Sequence, residues 1–204
     1  IGPGLDHAGI NELAEERGQS VDVDGYRTAM EEHREISRAR GSTELQRAAD
    51  FARDAGFETE FVGYGKTDVL TQIGALEEIE EGLFLAKLRE SPFYPSGGGQ
   101  VTDQGTVERD DGSGVGAEVV EAYRFEDDQA LLLRGSGLAA GDRVRAVVPW
   151  VVRFPTMANH TGTHLLHQSL RDVLGDHVRQ AGSSVRPDKL RFDFTHEHAL
   201  SAHE

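Results

Sequence analysis

The spacing of apolar residues predicts a helical start to the chain. Over the first 56 residues, apolar side chains recur every three or four positions, as they do along one face of an amphipathic helix. This spacing predicts three helices, over about 10–17, 24–40 and 42–56. A glycine follows or ends each of them, which is typical of helix ends: Gly18, Gly41 and Gly56. We therefore expect residues 1–56 to form a helical segment.

From residue 57 onward the pattern changes to the alternation that is typical of strands. Seven segments show it: ETEFVGY, TDVLTQIGAL, GLFLAKL, GTVER, AEVVEAYRF, QALLLRG and DRVRAVV. Glycine-rich or acidic stretches separate them, and the acidic run EEIEEG is interpreted as one of these turns. Many short strands of this kind are typical of a small antiparallel barrel, which we predict over residues 57–149.

Residues 150–204 are predicted to form a long helix followed by a β-hairpin. The helix should run from Trp150 to Gly175, with its core-facing stripe at Thr163, Leu166 and Leu170, beside Leu165 and Val173. The strands VRQAGSSV and KLRFDFTH follow, joined by a turn at 186–188. Residues 197–204 are expected to begin another helix, so that the chain is expected to be a fragment truncated within a domain. The fold class that results is α+β.

Composition and charge exclude several classes of protein. Of the 204 residues, 37% are apolar and none is cysteine, so a core can form but disulfides and cysteine-bound metals within these residues cannot. The net charge of −15 argues against a protein that binds bare duplex DNA. No apolar run is long enough to span a bilayer, and no signal peptide is present, so we expect a cytoplasmic protein without a membrane partner. Only residues 150–196, with a charge near +2, escape the acidic excess.

Three histidines on the long predicted helix form the first candidate site. His160 and His164 are four residues apart and so share one face of the helix, where two imidazoles could bind one metal ion such as zinc. His167 follows at three residues. Further ligands could come from four other histidines: His177, His196, His198 and His203. The same histidines could instead be ordinary polar residues of the surface, and spacing alone leaves both interpretations open.

Two further segments carry candidate binding residues. The loop PSGGGQ contains three consecutive glycines, which permit positive φ and close approach of a partner, and Gln100 could orient a substrate or a water. It lacks the GK[ST] ending of a phosphate loop, and a tight barrel corner is the alternative interpretation. In the hairpin, Gln180 and Ser183 offer polar groups beside Gly182, unless they simply form the polar outer face of two strands.

Taken in this order, these segments resemble the editing region of alanyl-tRNA synthetases. FYPSGGGQVTDQG, NHTGTHLLHQSLRDVLG and QAGSSVRPDKLRFDFTH are similar to successive signatures of that region, and NELAEERGQSVDVDGYRTAMEEHREISRAR is similar to the segment after the aminoacylation core. The resemblance covers about residues 10–204. It implies a helical linker over 1–56, a translation-factor-like barrel over 57–149, and the first part of an editing domain over 150–204.

The resemblance also implies an activity and a set of residues for it. Members of this family use ATP to ligate alanine to its tRNA, and their editing region hydrolyses serine or glycine wrongly attached to alanine tRNA. Zinc would be held by His160 and His164 and by a later Cys-x-x-x-His pair, which would lie beyond Glu204. Catalytic roles are implied for Thr163 and Gln180, and substrate binding for Ser183 and Gln100.

The partner that the resemblance implies is the acceptor end of alanine tRNA, together with the remaining domains of the same chain. ATP would bind only the full-length enzyme. Because half of the zinc site is missing, we expect the fragment alone to be inactive. Two alternatives remain: a freestanding deacylase that edits in trans, which would not need residues 10–56, and a non-catalytic module that docks RNA or a neighbouring domain.

Overall fold

A computed structural model describes residues 22, 25, 28, 43–198, 200 and 201. The chain divides into two compact units, Ile1–Gln46 and Arg47–Glu204. In the first unit, residues 25, 28 and 43–46 are helical. The predicted helix over 10–17 and the rest of that over 24–40 lie outside the described residues. The predicted α+β class with a closed antiparallel barrel is confirmed.

From residue 43 onward, two helices and ten strands follow one another in the described residues. Helix α1 covers residues 43–54. The strands of the barrel region are β1 Glu60–Phe61, β2 Asp68–Glu80, β3 Leu83–Leu88, β4 Glu90–Ser91, β5 Thr106–Arg109, β6 Gly116–Phe125, β7 Asp128–Gly135 and β8 Arg143–Val147. They are followed by helix α2 Trp150–Leu174 and by the hairpin strands β9 Gln180–Val185 and β10 Leu190–Phe194. No described helix is long and apolar enough to cross a membrane.

Six strands close into an antiparallel barrel in the order β2-β3-β7-β6-β5-β8. Closure leaves no unpaired sheet edge. Alternate residues of each strand point inward, as the alternation of the sequence predicts. The centre of the barrel core is formed by residues that are almost fully buried: Ile73, Ala86, Leu88, Val107, Leu131, Leu133, Val144 and Ala146.

The acidic run after Leu76 is a strand and not the predicted turn. β2 continues to Glu80, and Glu77 and Glu78 pair with residues of β3. The alternation explains this: Ile79 packs on a small apolar cluster on the outside of the barrel, while Glu78 and Glu80 are exposed to solvent. The actual turn is confined to residues 81–82, where Gly82 has a φ of +73°.

Lys87 is a buried cation near the end of the apolar strand β3. Its side chain has no solvent exposure, and its Nζ pairs with the Asp128 carboxylate at 2.5 Å. The same Nζ donates to the carbonyl of Ala52 at 3.0 Å and to that of Phe57. The buried charge is therefore paired and hydrogen-bonded, as burial in a low-dielectric interior requires. These bonds attach residues 52–57, where α1 ends, to the barrel.

A second buried ion pair attaches α2 to the barrel. Arg153 lies in the first turn of α2, and its Nη2 pairs with Asp103 at 2.6 Å, with side-chain exposures of 5% and 1%. The Arg153 guanidinium also donates to the carbonyls of Pro92, at 2.6 Å, and Gly63. Asp103 accepts a further bond from the Tyr94 N–H at 2.8 Å. Four segments of the chain thus meet at one guanidinium.

The predicted core-facing stripe of α2 is largely wrong. Thr163 is buried and Leu170 half-buried, but the other three residues are exposed by 39–64%: Leu165, Leu166 and Val173. Arg153 and Thr156 are buried instead. Apolar residues occur around much of α2, so their pattern does not indicate which face is covered. The polar contacts of Arg153 decide it.

The end of the chain also differs from expectation. The hairpin lies where it was predicted, with Leu190 opposite Val185 and Phe192 opposite Ser183. Residues 197, 198, 200 and 201 are not helical, so the helix expected over 197–204 does not begin at these positions.

Replacing Arg153 with methionine should destabilise the Arg47–Glu204 unit by about 3–5 kcal/mol, because Asp103 would stay buried without its counter-ion. The free energy of unfolding in urea, followed by circular dichroism, measures this. The control is Arg145→Met, which removes an ion pair with Asp68 whose side chains are 59% and 44% exposed. Exposed pairs contribute little, so a similar loss in both variants would contradict the central role of the Arg153 pair.

Candidate functional site

The glycine-rich loop lies between the barrel and the hairpin. Gly97 and Gln100 exchange two backbone hydrogen bonds, at 3.1 and 2.9 Å, which close a tight turn. Gly98 and Gly99 take up the left-handed conformation of that turn, with φ of +58° and +85°. On the hairpin side, the Val185 N–H donates to the Gly99 carbonyl at 2.7 Å, and the Val101 N–H donates to the Val185 carbonyl at 3.1 Å. The loop is a corner of the barrel region and also a wall of the hairpin site.

Glycine is required at position 99 because Ser183 of β9 approaches closely and because the backbone φ is positive. A Cβ added there would lie 2.9 Å from the carbonyl oxygen of Ser183 and closer still to its hydroxyl, which no real Cβ tolerates. Gly97, by contrast, has no atom within 4 Å of an added Cβ. The middle of the PSGGGQ loop is therefore fitted to β9.

Gln100 contacts the first of the three histidines. Its side-chain oxygen Oε1 lies 2.6 Å from Nδ1 of His160. With the amide oriented this way, its oxygen accepts the hydrogen bond and Nδ1 donates it, and the neutral imidazole then has its lone pair on Nε2. Gln100 is 7% exposed, and its backbone is fixed by the turn at Gly97. It thus holds one tautomer and one orientation of His160.

His160 and His164 stand one helical turn apart on α2, as the spacing predicts. The centroids of their rings are 5.1 Å apart, with 36° between the ring planes. His160 is half-buried and His164 is exposed. Both rings border a small cavity of about 40 Å³.

This cavity brings together most of the residues predicted for the site. Its walls come from the glycine loop, α2 and the hairpin: Gly98, His160, Thr163, His164, His167, Gln180, Ser183, Val185 and Phe192. Gln100 does not line it but lies behind His160. No carboxylate lines the cavity.

Several polar side chains of the cavity wall are hydrogen-bonded to one another or to backbone carbonyls. The Thr163 hydroxyl donates to the Asn159 carbonyl one turn earlier, at 2.8 Å, and can still accept a bond. The Gln180 amide donates to the Ser183 hydroxyl at 3.0 Å. The Ser183 hydroxyl lies 3.5 Å from the Gly98 carbonyl. These contacts hold the predicted catalytic and binding residues in place around the cavity.

Three of the other histidines considered as ligands, which lie in the described part of the chain, do not line the cavity. His177 and His196 pair with each other, at 2.9 Å between Nε2 and Nδ1, beyond the end of α2. His198 stacks edge-on against His196, and His203 lies outside the described residues. His167, the third histidine of the candidate site on α2, lines the cavity. Its position seven residues after His160, two helical turns away, is the sequence signal that places it there.

The donor set fits only part of a metal site. Within the described part of the chain, no group of three or more His, Asp or Glu side chains could hold a metal ion. The imidazoles of His160 and His164 suit zinc chemically, and the tautomer that Gln100 imposes leaves Nε2 of His160 free to bind a metal. Two ligands are thus provided of the four that a tetrahedral ion requires.

Comparison with known proteins places this chain in a family. The family model of tRNA synthetases class II (A) matches residues 4–151, which is most of the chain. The chain belongs to this family. The match reaches the first turn of α2 and ends before the histidines.

Individual relatives match over nearly the whole chain. The chain is 41% identical over 203 residues to the alanine–tRNA ligase of Thermotoga sp. (strain RQ2), covering 95% of the chain and 24% of that protein. It is 43% identical over 198 residues to the alanine–tRNA ligase of Rubrobacter xylanophilus, covering 95% of the chain and 22% of that protein. The predicted resemblance to alanyl-tRNA synthetases is confirmed. The chain spans about a quarter of the length of the curated relatives it matches.

Replacing Gly99 with alanine should destabilise the fold by about 1–2 kcal/mol from backbone strain alone, with a further cost from the contact with Ser183. The matched substitution Gly97→Ala has open space around it and no positive φ. Urea unfolding and the amide NMR signals of β9 would report both effects. Equal behaviour of the two variants would show that the loop is not fitted to β9.

Replacing Gln100 with leucine should release the tautomer of His160, since the bond that holds its Nδ1 proton is lost. Long-range ¹H–¹⁵N correlation spectra distinguish the two tautomers of a neutral imidazole. We expect one tautomer for the unaltered chain and for the control Gln104→Leu, whose side chain is exposed. A mixture is expected for Gln100→Leu. A single Nδ1–H tautomer in Gln100→Leu would contradict this role.

Proposed function

We propose that this chain is a segment of an alanine–tRNA ligase and that it contributes to hydrolysing serine or glycine wrongly esterified to alanine tRNA. The complete protein would ligate alanine to its tRNA in the cytoplasm with ATP, at a site outside this segment. The family match and the identity to alanine–tRNA ligases support the ligase. The observation that carries the editing role is the His160–His164 pair facing a small, polar cavity.

The need for editing follows from the sizes of the amino acids. A pocket shaped for alanine cannot strongly reject glycine, which is smaller by one methyl group, or serine, which adds only a hydroxyl. A second, hydrolytic site must then remove the serine or glycine that the aminoacylation site attaches to the tRNA. The cavity is small, about 40 Å³, and would favour the small aminoacyl groups of serine and glycine over larger ones.

His160 and His164 would hold zinc in the complete protein, with ligands from outside the described residues. When bound, zinc supplies a Lewis acid that polarises an ester carbonyl or activates a water. The residues of this chain would orient the two imidazoles: Gln100 fixes His160, and the helix fixes the distance from His160 to His164. Loss of such an outer partner typically weakens metal affinity by about 10- to 100-fold.

Thr163, Gln180 and Ser183 would position the aminoacyl group. The Thr163 hydroxyl has its proton engaged with Asn159 and therefore faces the cavity as an acceptor. The Gln180–Ser183 pair lies on the wall formed by the hairpin. Either ribose hydroxyl of the terminal nucleoside could take part in proton transfer, and the residues of this chain favour neither.

The acceptor end of the tRNA would approach through a second cavity. This cavity has a volume of about 340 Å³, shares His160 with the first, and is lined by two tyrosines, Tyr64 and Tyr94. Aromatic rings of this kind stack on nucleic-acid bases. A terminal nucleoside placed there would have its ester beside His160. Phosphate contacts would be few, because the chain carries a net charge of −15.

In the complete protein, His164→Ala should abolish release of serine from pre-charged tRNA and leave alanine charging intact. No neighbour on α2 can replace its imidazole without rotating the helix, and the charging site lies elsewhere. Serine release and alanine charging are measured on the same preparation, beside His198→Ala, which removes a histidine outside the cavity.

Unchanged serine release in His164→Ala would remove the histidine pair from the mechanism. Loss of both activities would indicate a folding defect instead. If the unaltered complete protein binds its tRNA but releases no serine, the segment is a docking module and the editing role is wrong.

A further inference from the structure

A third cavity adjoins the second one and shares two tyrosines with it, Tyr64 and Tyr94. It has a volume of about 200 Å³. Phe61 joins the tyrosines there, and the three ring centroids are 5.1–6.4 Å apart, with angles of 67–83° between the ring planes. Rings at such steep angles form a corner, and a group placed in it lies over the face of at least one ring. Because the face of an aromatic ring is negative, corners of this kind bind organic cations.

The third cavity also has an acidic lining. Glu126, Asp127 and Asp128, called here the acidic turn, line it where β6 ends and β7 begins. Asp128 is neutralised by the buried Lys87. Glu126 and Asp127 form no ion pair with any residue that the structure describes. Arg124 lines the cavity too, and its single positive charge does not balance these two carboxylates.

The acidic turn also lines a fourth and larger cavity, of about 850 Å³, at the end of α1. This cavity adds the carboxylate of Glu58, which is exposed and unpaired within the described part of the chain. Arg53 lines it as well but is already paired with Asp50 and Asp54. The C-terminal end of a helix adds a partial negative charge. Across the two cavities, three carboxylates without a partner are set against Arg124, which leaves an excess of two negative charges.

We propose that the two cavities together bind a linear polyamine, with one ammonium group against the aromatic rings and a second beside Glu58, across the acidic turn. This inference goes beyond the proposed editing function and does not rest on it. A polyamine carries ammonium groups joined by methylene chains, so it supplies the positive charge that the lining lacks and an apolar surface for the rings. An ammonium group donates hydrogen bonds and accepts none, which suits a lining of carboxylates.

Other charged ligands fit this lining less well. The side chain of a lysine brings one ammonium group and would leave part of the negative charge unbalanced. A divalent metal ion such as Mg²⁺ prefers oxygen ligands and keeps much of its water, so the aromatic rings would contribute little to its binding. Phosphates and other anions are repelled by the excess of carboxylates.

The backbone of the acidic turn is strained at Glu126. Among the described residues other than glycine, Glu126 has the only positive φ, +55°. Glycine adopts such a φ without strain, so the turn keeps a carboxylate at a position that would suit glycine better. Strain of this kind is concentrated at functional sites. It also provides a variant that removes the carboxylate without threatening the fold, Glu126→Gly.

The test titrates the unaltered chain with spermidine at constant ionic strength, and NMR follows the ring protons of Phe61, Tyr64 and Tyr94. We expect these resonances to shift and to saturate. The affinity should exceed that for n-butylamine, which carries one ammonium group, by roughly 10-fold, because a second charged group is then also paired. Mg²⁺ at the same concentration should not displace spermidine.

A matched pair of double variants tests the acidic turn. Combining Glu126→Gly with Asp127→Asn should weaken the binding of spermidine by roughly 10-fold, the effect of losing two exposed ion pairs. Combining Glu80→Gln with Glu81→Gln changes the net charge equally, at exposed positions outside both cavities, and should leave the affinity unchanged.

A second pair of variants tests the aromatic rings. Tyr64 is 84% exposed, so Tyr64→Leu should fold normally and weaken the binding of spermidine by roughly 2- to 30-fold, as expected for the loss of a cation–π contact. Phe154→Leu removes another exposed ring, outside both cavities, and should have no effect.

Four results would overturn the inference. Equal affinities for spermidine and n-butylamine would show that the site takes a single ammonium group, such as that of a lysine side chain. Displacement by Mg²⁺, or equal weakening in the control variants, would show only that an acidic surface attracts counter-ions. Absence of a saturable shift would show that the cavities bind no polyamine. None of these results bears on the clearance of serine, so the proposed editing function stands or falls separately.

Discussion

The buried pair of Arg153 and Asp103 is the interaction on which the site depends. Arg153 and His160 are seven residues apart, two turns along α2, and so lie on the same side of the helix. Asp103 and Gln100 are three residues apart in the loop that faces them. Two contacts therefore join the same two segments: an ion pair with side chains no more than 5% exposed, and a hydrogen bond of 2.6 Å. The ion pair fixes the rotation of α2, and that rotation sets the imidazole of His160 against the amide of Gln100.

Most of the fold could be predicted because it follows from local patterns. The alternation of apolar and polar residues predicted the strands of the barrel, and helical spacing predicted α1 and α2. The hairpin was predicted from two strand segments joined by turn residues. The errors share one cause: the pattern of apolar residues in a segment does not indicate which other segments pack against it. Glu78 and Glu80 resembled a turn, yet Ile79 between them packs outside the barrel and keeps the segment a strand. The leucines of α2 resembled a core face, yet its covered face is set by the polar contacts of Arg153.

The site was predictable in its residues and not in their arrangement. The spacing of His160, His164 and His167 states that they share a face of α2, since this is a property of any helix. That Gln100 contacts His160, 60 positions later in the chain, is a property of the tertiary structure alone. The role predicted for Gln100, substrate binding, stays a prediction: its amide oxygen contacts His160, and its side chain also lines the second cavity. The close approach at Gly99 is likewise a property of the tertiary structure, because the neighbouring atoms belong to Ser183 of β9.

The contact between the glycine loop and β9 explains how a barrel can carry a site that it does not enclose. The strands of the barrel satisfy one another, so the loop after β4 has free backbone groups to offer. It uses them on Val185, and its lack of side chains at Gly98 and Gly99 lets β9 approach until Ser183 touches the loop. The cavity is what remains between that contact and α2. Because each wall comes from a different element, its volume of about 40 Å³ depends on the two attachments of α2 and β9 to the same loop. The walls of the cavity therefore keep their spacing only while Arg153 holds α2, and the close approach at Gly99 holds β9, against this loop.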